Sequence, residues 1–282
     1  MKGKIVGIGE ILWDMLPDGK QLGGAPANFA YHVSRLGGEG VAISAVGNDT
    51  PGKEIRDVLV SKNLDAVLAV ADAPTGYVKV TMGAAGVPAY EITENVAWDN
   101  IPFTDGMRCV AEQARAVCFG TLAQRSGASR RTIWQFIAAM PEDSLKVFDI
   151  NLRQNYYDKE LICSSLELSD ILKINDDELE IVSGMLSLSG SQTERCRAIA
   201  SIFNQRLVIL TRGGMGSDVI TGDTVHTIVP EKIEVVDTVG AGDSFTAAFV
   251  TSYLDGCSIE SAHALAGKVS SYVCTRAGAM PE

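Results

Sequence analysis

Five short apolar runs, at residues 41–46, 116–119, 146–150, 170–174 and 207–210, punctuate this chain, and helical patterns lie between them. Runs this short and this rich in Val and Ile read as strands buried on both faces. Strands alternating with helices predict an α/β fold, in which a mostly parallel sheet carries helices on both sides. Ligands in such sheets bind at the carboxyl ends of the strands, so the loops after these runs are where chemistry is expected. The chain has 282 residues, enough for one large domain with a small attachment, since single cores stop growing near that size.

One segment breaks the rhythm. Residues 75–82 and 87–92 alternate around the glycine-bearing stretch Gly83-Ala84-Ala85-Gly86 and have no helix of their own, the pattern of a β-hairpin. Together with Ile11-Leu12-Trp13-Asp14-Met15 and the turn after it, the hairpin is expected to form a small separate sheet covering a site. The plain alternative is a decorative edge hairpin. The expected partition is a main domain of residues 1–10, 23–74 and 99–282 and a β lid of residues 11–22 and 75–98.

A formal net charge of −11 opposes broad contact with nucleic acid or an anionic membrane, both of which reward clustered Lys and Arg. A small-molecule ligand is the better expectation. Cys109, Cys118, Cys163, Cys196, Cys257 and Cys274 show no spacing suited to zinc and are expected to be mostly reduced and buried. No signal-peptide pattern or membrane-length apolar run is present, and a cytoplasmic location is expected.

The sharpest local pattern is Asp237-Thr238-Val239-Gly240-Ala241-Gly242-Asp243, which runs directly into an apolar helical stretch. Glycines entering a helix expose backbone N–H groups at its positive end, a pocket suited to phosphate. Asp243 in the first turn could serve only to complement the helix dipole. Beside an anion pocket, however, a carboxylate can also take a proton from a hydroxyl. Near the other end, Gly23 and Gly24 permit close backbone approach to a ligand, and Asn28 offers a donor and an acceptor to hydroxyls.

These two blocks, with Leu36-Gly37, Gly47-Asn48-Asp49 and Gly52 between them, resemble the two signatures of the ribokinase-like (PfkB-type) carbohydrate kinases. The resemblance spans nearly the whole chain. It implies a ribokinase-like three-layer α/β sandwich with a small β-sheet lid, and transfer of a phosphoryl group from ATP to a sugar hydroxyl. Asp243 would be the base and Gly240, Ala241 and Gly242 the anion hole, while Asp237 and Val239 would help hold a monovalent cation such as K⁺. Asn175 and Glu178 match the family's N-x-x-E element, which organises Mg²⁺ through water. Thr211, Gly213, Gly214 and Gly216 match its nucleotide loop. Asn151 and Arg153 match positions near substrate and phosphates. The stretch after Gly278 is shorter than in many relatives, which implies a trimmed adenine pocket.

Within the family, Gly9-Glu10 leading to Asp14, together with residues 122–126, most resembles fructokinases, with Asp14 accepting hydrogen bonds from sugar hydroxyls. The nearest rival is a kinase of 2-keto-3-deoxygluconate, whose carboxylate would meet Arg125 or Arg153. A non-catalytic sugar-binding relative is the third reading, and the intact Asp243 and glycine pair argue against it. The exposed edges of such a lid can pair with those of a second copy, so a homodimer through the lid is expected. Competing phosphate motifs fail: Gly7-Ile8-Gly9 lacks the third glycine of a dinucleotide fingerprint, and no Walker-type run exists. His32, His226 and His263 show no metal-ligand spacing and are expected to be structural.

Overall fold

The computed structural model describes residues 3–16, 19–82 and 88–282. In chain order the elements are β1 (Lys4–Ile8), β2 (Leu12–Leu16), β3 (Gly19–Gly23), α1 (Ala25–Arg35), β4 (Glu39–Gly47), α2 (Thr50–Ser61), β5 (Asp65–Ala71), β6 (Tyr77–Met82) and β7 (Pro88–Ile92). Then follow α3 (Asp105–Ala111), β8 (Ala114–Phe119), α4 (Gly127–Ala139), β9 (Leu145–Asp149), α5 (Lys159–Glu167), β10 (Ile171–Asn175), α6 (Asp176–Leu186) and α7 (Gln192–Ile202). The last are β11 (Leu207–Thr211), β12 (Ser217–Ile220), β13 (Val225–Ile228), α8 (Ala241–Leu254) and α9 (Ile259–Cys274).

All five apolar runs are strands of one sheet, ordered β13-β12-β11-β10-β9-β8-β1-β4-β5. Its pairs from β5 to β11 are parallel, while β12 and β13 are added antiparallel at one edge. Each strand turns alternate residues to opposite faces. Phe148, Leu172 and Ile174 pack with Met107, Phe136, Leu161, Leu179 and Ile199 from α3 to α7. Leu145, Val147 and Ile171 pack with Phe29, Phe249 and Ala266 from α1, α8 and α9. Both faces are therefore covered, which makes three layers and explains why the strands are apolar without polar alternation. From β1 the chain first builds β4 and β5 on one side, then returns to place β8 on the other. That reversal puts the ligand crevice at the carboxyl ends of β1 and β8.

A second sheet, ordered β3-β2-β6-β7, stands apart from the first. β6 and β7 form the expected antiparallel hairpin and β6 lies parallel to β2; the glycine turn between them falls outside the described residues. Two brackets fix the hairpin to the main sheet. At its entry, Asp49 caps α2 through the Gly52 amide and also accepts from the Thr75 amide and hydroxyl. At its exit, Arg125 donates to the Thr93 carbonyl and pairs with Asp99. Trp13 on β2 donates to the Pro51 carbonyl, and Lys20 on β3 pairs with Glu54, so α2 supports the small sheet from the side.

The cysteine expectation needs correction. All six are free, but only Cys118 and Cys196 are buried, while Cys109 and Cys257 are exposed. Cys109 sits on the outer face of short α3 and Cys257 follows α8, positions that residue type alone does not reveal. The strands β3, β5, β12 and β13 were not foreseen either. β13 alternates exposed and half-buried residues over four positions, too short a pattern to distinguish from a loop.

Candidate active site

The site forms where the amino ends of α1 and α8 meet the carboxyl ends of β1, β9 and β10. At α1, Gly24 takes the N-cap position with φ 118°. A Cβ there would come within 2.5 Å of the Glu10 carbonyl, so only glycine lets the helix start this close to the end of β1. One turn on, buried Asn28 donates from Nδ2 to Asp243 Oδ2 at 2.8 Å. Its Oδ1 is buried without a hydrogen-bond partner. Native interiors seldom leave such an acceptor unmet, and a ligand hydroxyl would satisfy it.

At α8, Gly240 is the N-cap with φ 75°, and a Cβ on it would strike Ala279 at 2.6 Å. The amides of Gly242 and Asp243 belong to the first turn, where no carbonyl precedes them at helical spacing. The Ala241 amide donates to the Thr238 carbonyl at 3.2 Å, so of the expected trio Gly240 is the N-cap and Gly242 supplies a first-turn amide one residue before Asp243. Burial pushes Asp243 up to about 6, and the Asp149 charge adds to it; Asn28, Lys173 and Arg153 pull the other way. At neutral pH the carboxylate is ionised yet basic enough to accept a proton.

Beneath this turn lies a polar pair that sequence reasoning missed. Asp149 and Lys173 are register partners on β9 and β10, 3.0 Å apart and almost wholly buried. Thr246, one turn into α8, donates to Asp149 Oδ2 at 2.9 Å. The signal was a lone Lys within an otherwise apolar strand.

Asp14 lies on β2 of the small sheet, half-buried. A Cβ at Gly23 would come within 2.2 Å of Asp14 Oδ2, which is why the facing strand must be glycine there. Burial pushes Asp14 up to about 6, with the Arg153 guanidinium acting against it. Buried Glu10, not singled out from the sequence, is pushed up to about 7, again by burial first, with Asp243 adding and Arg153 opposing. Arg153 is exposed in the loop after β9 and is the cation that faces this group of carboxylates. Asn151 sits beside it with a left-handed φ of 45°, and its carbonyl accepts from Thr121.

Arg125 is placed differently. Asp99 holds it through two hydrogen bonds, the Thr93 carbonyl accepts a third, and its guanidinium stacks between Trp98 and Tyr156 at 4.0 and 4.5 Å. It brackets the exit of the hairpin with Asp99 facing its charge, while its Nη1 is buried without a hydrogen-bond partner.

On the opposite side, Asn175 caps α6 and shares a capping box with Glu178. Glu178 is buried and accepts from the Leu152 amide on Oε1 and the Asn175 amide on Oε2. Burial pushes its carboxyl above the ordinary range. Among the described residues no group of three or more His, Cys, Asp or Glu could enclose a metal ion. Glu178 and Asn175 do place hard oxygen donors, each also accepting a backbone amide, at the carboxyl end of β10, and such donors are of the kind that suits Mg²⁺. Thr211 ends β11 and leads into the turn at Gly213–Met215. Gly213 and Gly214 face open space, while Gly216, at φ 100°, packs against the Ile228 carbonyl. The loop therefore presents bare backbone at a strand's carboxyl end. Asp237 accepts from the Val239 and Gly278 amides, which ties the loop before α8 to residues 278–279. His226 and His263 meet each other, and His263 meets Ser217, behind β12 and β13.

Sequence and structure comparisons converge on one group of proteins. A profile of the pfkB family carbohydrate kinases matches residues 18–282. The sugar kinase PH1459 of Pyrococcus horikoshii is 32% identical over 271 residues, covering 89% of this chain and 83% of that protein. A Klebsiella pneumoniae fructokinase is 28% identical over 270 residues, 89% of this chain and 84% of the relative. The crystal structure of PH1459 in complex with ATP superposes with a TM-score of 0.83 at 28% identity, covering 98% of this chain and 94% of that one.

Proposed function

Because this chain belongs to the PfkB family of carbohydrate kinases and is an ATP-dependent sugar kinase, we propose that its acceptor is a neutral ketohexose, D-fructose being the simplest. The observation that carries this reading is the state of the two arginines nearest the sugar side. Asp99 already neutralises Arg125, and Arg153 faces three carboxylates, Glu10, Asp14 and Asp243. A site with this balance favours hydroxyl donors and disfavours an anionic sugar.

In this reading Asp14 and the free Oδ1 of Asn28 accept from sugar hydroxyls and set the pose. Asp243 removes the proton from the reacting hydroxyl as its oxygen bonds to the γ-phosphorus, and the bond from that phosphorus to the bridging oxygen of ADP breaks. The amides of Gly240 and Gly242 meet the charge on the transferring group. Thr211, Gly213, Gly214 and Gly216 hold the nucleotide, with Asn151 and Asn175 nearer its phosphates. Mg²⁺, when bound with ATP, supplies charge neutralisation between the phosphates. Glu178 and Asn175 would hold that ion through water, and Asp237 and Val239 would help hold K⁺. The small sheet of β2, β3, β6 and β7 closes over the sugar and excludes water, and its edges pair in a homodimer.

The rival acid substrate has one observation in its favour, the exposed Arg153. The test is kcat/KM for fructose and for 2-keto-3-deoxygluconate on wild type, Asp14→Ala and Arg153→Ala, read by coupled ADP release. Fructose should be preferred and lost with Asp14. Greater efficiency on the acid, abolished by Arg153→Ala, overturns the fructose assignment.

A further inference from the structure

The face of the sheet beneath α8 is apolar, with Ala116, Leu145, Val147, Ile171 and Ile209 packed against Phe245, Ala248 and Phe249. Asp149 and Lys173 interrupt it. A buried ion pair at such a place adds little to stability, because taking two charges out of water offsets their attraction, and an apolar pair of similar volume often serves as well or better. The position of this pair relative to α8 is more telling. A Cβ added at Gly242 would lie 3.0 Å from Lys173 Nζ, so the ammonium sits against the backbone of the anion hole with nothing between. Asp149 holds that ammonium on one oxygen and Thr246 on the other, and the Thr246 hydroxyl also lies 3.0 Å from the Gly242 carbonyl, so its single proton is shared between the carboxylate and that carbonyl. The first turn of α8 is therefore tied to β9 and β10 through one carboxylate.

We propose that Asp149 and Lys173 are positioning residues for phosphoryl transfer. Lys173 fixes a positive charge directly behind the anion hole, and Asp149 locks both that charge and the first turn of α8 in place. The proposal rests on Asp243 acting as the base, and it gives the glycine at position 242 a consequence: a Cβ there would press on the ammonium at 3.0 Å and push it back by a few tenths of an ångström.

The electrostatics give the pair opposite effects on Asp243. Lys173 favours the ionised carboxylate and Asp149 disfavours it. Burial works against the Lys173 charge, but Asp149, Glu178 and Asp243 outweigh it and hold its pKa above the ordinary lysine value. The other groups facing Asp243 are Asn28 from α1, Glu10 after β1 and Arg153 after β9; the Cys118 thiol on β8 is held neutral by burial and by the charges of Asp149 and Asp243.

The test compares Lys173→Gln, Lys173→Arg and Asp149→Asn with wild type. The first readout is the ¹³C carboxyl titration of Asp243 in the protein without sugar, assigned with Asp243→Asn. The second is kcat and KM for ATP. Lys173→Gln should raise the Asp243 midpoint and Asp149→Asn should lower it, each by about one pH unit. Both should lower kcat at least about tenfold, and Lys173→Arg should preserve the midpoint. A purely structural pair would move both variants alike, through stability alone. Midpoints unmoved, or moved in the same direction, overturn the proposal, and Asp149→Asn decides it alone should Lys173→Gln fail to fold. A wild type that phosphorylates no sugar would refute the kinase reading instead, while the titration would still report on the pair.

Discussion

Asn28 on α1 and Asp243 on α8 are 215 residues apart in the chain and 2.8 Å apart in the fold. The bond closes the site between the two helix starts. It also favours the ionised form of Asp243, because Asn28 donates to the charged carboxylate. Burial holds the Asp243 pKa of the free protein at about 6, and Asn28→Ala should therefore move the acid limb of kcat/KM, which reports the free enzyme, to higher pH. Rates measured from pH 5 to 8.5 check this; a limb that stays in place separates Asn28 from the base.

Asp243→Asn should lower kcat by at least about 10²-fold, the ordinary contribution of a positioned base. It should also stabilise the protein, but only at higher pH. The folded-state pKa lies at about 6 against an ordinary value of 3.8, so the folded protein binds the Asp243 proton more tightly. Stability from this group is full at low pH and is lost as pH rises through that window. The neutral amide removes the loss, by at most about 3 kcal/mol above pH 7 and by almost nothing near pH 4. Thermal melts of both proteins at the two pH values read the difference.

Asp14→Ala should reduce kcat/KM for the sugar more than tenfold, since a hydrogen bond to a charged group is worth about 1.5–3 kcal/mol. Gly23→Ala tests the same contact from the opposite strand. Its Cβ would fall 2.2 Å from Asp14 Oδ2, so the carboxylate must move and the sugar KM should rise. Unchanged sugar kinetics in Gly23→Ala would place the sugar elsewhere.

Glu178→Gln should shift the Mg²⁺ dependence of the rate. The amide also turns a donor toward one of the two backbone amides that the carboxylate now accepts from, Leu152 and Asn175. A stability loss of about 1–3 kcal/mol is expected from that mismatch. A metal titration that does not move would leave Glu178 with its capping role only.

The hairpin of β6 and β7 should slow its amide exchange when sugar binds. Asp49→Ala should speed that exchange without sugar and cost about 1–2 kcal/mol, since it removes both the cap of α2 and the tie to Thr75. Exchange indifferent to sugar would count against closure of the small sheet.

Local chemistry made the sheet, the hairpin and both glycine-bearing helix starts readable from the sequence alone. Continuous Val and Ile runs between helices fit only strands covered on both faces, and glycines before a helix expose amides whatever the rest of the chain does. Local pattern marked Asn28 and Asp243 as candidates, while the roles of Asp243 as base and of Glu178 toward Mg²⁺ came from the family resemblance. Arg125 shows the limit. A guanidinium near a sugar-side motif reads as an anion ligand until the fold brings Asp99, Trp98 and Tyr156 around it. The Asp149 and Lys173 pair shows the converse. Asp149 alone resembles the polar end of a strand and Lys173 a lone polar residue inside one, and only the parallel register of β9 and β10, with α8 laid across them, buries the two together behind Gly242. Strand register and helix docking bring together groups far apart in sequence, and the energy of a buried charge depends on those neighbours rather than on its own type.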